Sequence, residues 1–190
     1  MNAHVLIISE KPLEQLEWEC RKLSIVTDTL LTSNDLKSDL KDIRLYVDGA
    51  PKVYLIGTNK GGYLLFNALH DLEIVKKATK VVIAAAPFNV LLWEHVKKLP
   101  SEEAEYYITN PAGKLYVGLP PTLLLYSKTD PHVIYDQGRM ALNGLRKTHE
   151  PGASRPNVQL VALTEGSSYS PLEDVETCKN IIRWLGIGGI

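Results

Sequence analysis

The stretch from Val53 to Leu69, V-Y-L-I-G-T-N-K-G-G-Y-L-L-F-N-A-L, constrains the fold more than any other part of the sequence. Val53, Tyr54, Leu55 and Ile56 make an apolar run suited to a strand buried on both faces, and Tyr63 to Leu69 carries the apolar stripe of a helix packed on it. Between them, Gly57-Thr58-Asn59-Lys60-Gly61-Gly62 places small residues two before and two after Asn59, so strand and helix can approach closely around a sharp corner.

The same alternation continues on both sides. Val5 to Ser9 reads as a strand, followed by a helix with Leu13, Leu16, Cys20 and Leu23 on one face; Ile25-Val26-Thr27 reads as a weaker strand. After Thr32-Ser33-Asn34, a cap signal, Leu36, Leu40, Ile43 and Val47 recur at helical spacing. Further strands are expected over Lys80–Ala86, Thr122–Tyr126 and Val158–Leu163, and helices over Tyr135–Leu145 and along Val175, Cys178, Ile182 and Leu185. The pattern lapses between Pro87 and Pro120, where Val90–Val96 and Ser101–Ile108 are short helical segments of a lid around residues 88–119. The expectation is an α/β three-layer sandwich: a mainly parallel six-stranded sheet with helices on both faces, forming one domain over residues 1–190.

Composition excludes several classes of function. Twenty-one Lys and Arg against 22 Asp and Glu give a formal charge of −1, without runs of like charge, which argues against nucleic acid or an anionic membrane as a partner. The apolar run at the start is too short for a signal peptide and no stretch approaches the ~20 apolar residues of a membrane span, so a soluble, cytoplasmic protein is expected. Cys20 and Cys178 fall on helical stripes and read as small buried hydrophobes. No clustered metal-ligand spacing occurs, and G-T-N-K-G-G matches neither a phosphate loop nor a dinucleotide fingerprint, so no metal and no cofactor are expected.

Ligands of such sheets bind beyond the carboxyl ends of the strands, which directs attention to Ser9-Glu10, Asn59-Lys60, Asp130 and the loop Gly166 to Pro171. The corner at 57–62, the stretch P-P-T-L-L-L-Y-S-K-T-D-P-H-V at 120–133 and E-G-S-S-Y-S-P-L-E-D at 165–174 together resemble the α/β-hydrolase family over nearly the whole chain, as a small, minimal member lacking two antiparallel strands at its start. In that resemblance the corner is the nucleophile elbow. The nucleophile position falls on Asn59, the acid on Asp130, the histidine on Tyr169, and the oxyanion-loop His-Gly on Ser9-Glu10.

These residue types do not suit acyl transfer. The Asn59 amide is neither nucleophile nor base, tyrosine with an ordinary pKa of about 10 is a poor base, and Glu10 would put negative charge where an oxyanion develops. Asparagine instead tolerates the positive φ of an elbow apex, and Asp130 can bond neighbouring backbone N–H groups in its turn. No residue is therefore assigned a catalytic role; the expected ligand pocket is Ser9, Glu10, Asn59, Lys60, His132 and Tyr169, with Lys60 a candidate anion contact. Among the other histidines, His4, His70, His95 and His149 have no partner pattern, and Ser127, Ser168 and Ser170 lack elbow geometry. The expected function is binding of a small molecule or protein partner without serine-hydrolase activity. The alternative is an esterase with a displaced triad built on Asp130, His132 and a nearby serine.

Overall fold

The computed structural model describes residues 3–147, 155–164 and 170–187. In chain order the elements are β1 (His4–Ser9), α1 (Glu14–Lys22), β2 (Val26–Leu31), α2 (Leu36–Gly49), β3 (Val53–Thr58), α3 (Lys60–Ala68) and α4 (Leu72–Lys77). They continue as β4 (Ala78–Ala84), α5 (Ser101–Ala104), β5 (Thr122–Ser127), α6 (Tyr135–Leu145), β6 (Val158–Leu163) and α7 (Val175–Leu185). The six strands form one sheet in the order β2-β1-β3-β4-β5-β6, every neighbouring pair parallel.

Two cores follow from the period-2 alternation of the central strands. Leu6 and Ile8 of β1, Leu55 of β3, Val81 and Ile83 of β4, and Leu124 and Tyr126 of β5 face one side, against α2, α3 and the lid. Val5 and Ile7, Ile56, Val82 and Ala84, and Leu123 and Leu125 face the other, against α1 and α7. Cys20 of α1 and Cys178 of α7 lie fully buried in this second core as free thiols, and burial pushes both up to about 12. They behave as hydrophobes.

Several boundaries depart from the sequence expectations. β2 runs to Leu31 instead of ending at Thr27; as an edge strand it is half solvated, so its polar Thr27, Asp28 and Thr29 carry no burial signal. The cap of α2 is Asp35, not the residues 32–34: its carboxylate accepts the N–H groups of Lys37 and Ser38. β4 stops at Ala84 because Ala85 turns to a φ of 47°, and its start is preceded by the short helix α4, capped by Asp71. In the lid, Val90–Leu92 and Glu94–Lys98 are 3₁₀ turns, and only Ser101–Ala104 is α-helical.

The lid is pinned by polar groups. Gln137 of α6, fully buried, accepts the N–H groups of Phe88 and Asn89 at 2.9 and 2.7 Å and donates to the Asn89 carbonyl at 3.1 Å. Tyr106 donates at 2.6 Å to the Asp39 carboxylate, which also accepts the Ser33 N–H. Among the described residues no helix is long and apolar enough to cross a membrane.

Candidate functional site

β1 has β2 on one side and β3 on the other, so the chain's direction of winding reverses there, and a crevice opens beyond the carboxyl ends of β1 and β3. The β3–α3 corner stands at this point. Asn59 has φ 50° and ψ −117°, and it is held by an N–H bond to the Ala84 carbonyl and by accepting from Tyr63 N–H. Such a conformation is strained for a residue with a side chain, and asparagine is among those that bear it best.

The glycines around Asn59 explain how the corner closes. A Cβ on Gly57 would lie 2.7 Å from the Gly61 carbonyl oxygen, one on Gly61 would overlap the Ile8 carbonyl group, and one on Gly62 would lie 2.6 Å from the Ala86 side chain. Backbone therefore packs on backbone between α3 and the strands beneath it. The consequence is that Asn59 and the first-turn N–H groups of α3, which have no acceptor within the helix, are presented at the carboxyl edge.

Above the corner is a cleft of about 390 Å³, roofed by the lid, with walls from Glu10, Asn59, Lys60, Pro87, Trp93, His95, Leu99, Glu103, Tyr107, His132 and Val133. A wider depression of about 820 Å³ lies along α1, walled by residues such as Glu14, Trp18 and Arg21; the elbow contributes nothing to it. Of the residues singled out from sequence, Glu10, Asn59, Lys60 and His132 are brought together in the elbow cleft. Ser9 is not one of its walls: fully buried, it donates from Oγ to the Lys11 carbonyl at 2.6 Å within the turn after β1. Tyr169, Ser168, His149 and the residues 166–167 lie outside the described residues.

Asp130 is 5% exposed and uses Oδ1 as a local cap, accepting the N–H groups of His132 at 2.8 Å and Val133 at 3.1 Å. Ser127 Oγ is bonded to the Thr129 hydroxyl and N–H. The His132 ring faces His95 at 4.6 Å between centroids, and the His132 carbonyl accepts the Trp93 indole N–H at 2.7 Å. Burial, followed by the neighbouring His132, holds the His95 imidazole below the ordinary histidine range.

Lys60 is the group that most distinguishes the cleft chemically. It is 6% exposed, and its Nζ donates to Asn34 Oδ1 at 3.0 Å and sits 4.1 Å from the centre of the Tyr106 ring. Burial lowers its pKa from the usual lysine value, while Glu10, Asp39 and Glu103 pull the other way. The lid's share of the cleft, Trp93, His95, Leu99, Glu103 and Tyr107, was not anticipated from sequence; no motif surrounds these residues, and only the folded lid brings them over the elbow. Among the described residues no three His, Cys, Asp or Glu side chains gather as a metal site.

The fold is that of the α/β-hydrolases. Mouse alpha/beta hydrolase domain-containing protein 10 superposes with a TM-score of 0.71 at 13% identity, covering 96% of this chain and 88% of that one. A thermophilic esterase from Thermogutta terrifontis gives 0.71 at 11% identity, covering 100% and 92%. The esterase domain of a Rhodothermus marinus protein gives 0.67 at 18% identity, covering 97% and 84%. No family model and no curated protein matches the sequence.

Proposed function

We propose that this α/β-hydrolase-fold protein is a non-hydrolytic binding protein whose cleft over the elbow holds a small molecule. The observation that carries the reading is Asn59 itself: the apex keeps elbow geometry at φ 50° and ψ −117° while presenting a neutral amide where acyl transfer needs a nucleophile. The acid position supports it too, since Asp130 Oδ1 is engaged by two backbone N–H groups, as a structural turn requires. A cleft of about 390 Å³ with aromatic and charged walls is of the size and character that small-ligand sites have.

The rival, an esterase with a displaced triad, takes its support from His132 lining the same cleft. The two are separated by incubating the protein with short-chain nitrophenyl esters and a fluorophosphonate probe. The expected outcome is no saturable turnover and no labelled serine. Stoichiometric labelling of Ser127, Ser168 or Ser170 would establish the esterase instead.

A further inference from the structure

Lys60 combines burial with an unusual choice of partners. Its ammonium rests on a neutral amide oxygen and an aromatic face, and among the described residues it forms no ion pair. A lysine held this way loses hydration with no carboxylate in direct contact among the described residues; burial outweighs the nearby Glu10, Asp39 and Glu103, and such lysines more readily present a neutral, nucleophilic amine. The side chain also lines a cleft, so small molecules can meet it.

The surroundings select the electrophile. Glu10 and Glu103 line the same cleft and disfavour anions, whereas Trp93 and Tyr107 offer flat apolar surface to a neutral ring. The first-turn N–H groups of α3 have no acceptor within the helix, and N–H groups of that kind can bond a carbonyl oxygen as it gains charge. We propose that Lys60 is an amine nucleophile that captures small neutral aldehydes, aryl aldehydes above all, as a reversible imine in this cleft. The inference rests on the cleft being a small-molecule site.

The step balances without an added oxidant or reductant. The Nζ lone pair forms a C–N bond to the carbonyl carbon while the C=O π pair moves to oxygen. One nitrogen proton passes to that oxygen to give the carbinolamine; the second leaves with the hydroxyl as water, and the C=N bond forms.

Benzaldehyde with sodium cyanoborohydride, which reduces and so traps the imine, tests this on the full chain at pH 8, with peptide mass spectrometry locating the adduct. Lys60 is expected to be benzylated at least about tenfold faster than the surface lysines, because burial favours its neutral amine. Lys60→Met should abolish that adduct with an unchanged circular-dichroism spectrum. Asn34→Asp keeps the lysine and sets a carboxylate at the present 3.0 Å contact, so it should slow labelling by about tenfold or more.

That last variant is informative because the other ionisable groups around Lys60 are left in place: Glu10, Asp39, Glu103, His95, His132 and the Tyr106 and Tyr107 hydroxyls. Labelling spread over surface lysines with Lys60 no faster, or an Asn34→Asp protein that labels at the parent rate, would overturn the inference. Benzyl alcohol, which has no carbonyl, separates this failure from that of the site. Binding of the alcohol by ligand-observed NMR without any imine overturns covalent capture and leaves the cleft as a binding site. Absence of both overturns the two together.

Discussion

Gly61→Ala should be among the most damaging single-methyl additions to this protein. The added Cβ would lie 2.5 Å from the Ile8 carbonyl carbon and 3.0 Å from Ser9 N, and closer still to the Ile8 oxygen. Carbons sit comfortably at about 3.5–4.0 Å, so the overlap is roughly 1 Å, and it is against backbone. Neither partner can rotate away. Ile8 is locked in β1 between its parallel neighbours, and Gly61 is in the first turn of α3. Overpacking typically costs about 1–3 kcal/mol where side chains can give, so a cost of at least about 3 kcal/mol is expected here. Against a typical domain stability of about 5–15 kcal/mol, that is a large fraction.

Gly49→Ala supplies the opposite sign from the same experiment. Gly49 ends α2 on the surface, and a Cβ there would meet nothing within 4 Å. Removing glycine's excess unfolded-state freedom at a helical position should stabilise by up to about 1 kcal/mol. Urea unfolding followed by far-UV circular dichroism, with the linear extrapolation applied to both variants, measures the pair. A Gly61→Ala protein that loses less than about 1 kcal/mol would refute the reading that backbone contact at the elbow sets the strand–helix distance.

Gln137→Leu removes the acceptor for two N–H groups and the donor to one carbonyl at the root of the lid. At about 1–3 kcal/mol for each buried group left unsatisfied, a loss above about 3 kcal/mol is expected, read as a lower denaturation midpoint and faster proteolysis within residues 88–119. His70 governs a pH response. Burial, then Lys114, holds its imidazole down to about 4 from 6.5, opposed by the Leu115 carbonyl bonded to Nδ1, while Nε2 is buried without a partner among the described residues. Between pH 6.5 and 4 the unfolded chain therefore binds more protons at this site than the folded one, so stability is full above 6.5 and falls as the pH drops towards 4. His70→Gln should flatten that part of the stability curve, measured by denaturant midpoints across the window; an unchanged slope would remove His70 as its source.

The legible parts of the fold are those whose residues are buried on both faces. β1, β3, β4 and β5 announce themselves as apolar runs because each packs against helices above and below, and α2 shows its stripe because Leu36, Ile43 and Val47 are buried on one side of it, with Leu40 packed alongside. β2 was underestimated for the converse reason, since an edge strand with Asp28 and Thr29 in solvent has little period to read. The elbow was legible through its glycines, where any side chain would collide. The cleft was legible only in part: Glu10, Asn59, Lys60 and His132 belong to strand-end loops whose place in a parallel sheet is known in advance. Trp93, His95, Glu103 and Tyr107 come from irregular turns, and nothing local tells that His95 will face His132 or that Tyr106 will bond Asp39.

The elbow separates two demands that usually coincide at one turn. Packing requires Gly57, Gly61 and Gly62, because α3 must lie on β1 and β3 at backbone distance, and against the Ile83 and Ala86 side chains, whatever chemistry stands above. The apex requires only a residue that bears φ 50°, and asparagine meets that condition without being a nucleophile. Substitution at position 59 can therefore change the chemistry while the scaffold persists. The neighbouring position differs in kind: Lys60 directs an amine under the lid, buried against Asn34 and Tyr106. A turn shaped to present an apex side chain to the cleft thus also places the side chain of the next residue beneath the lid.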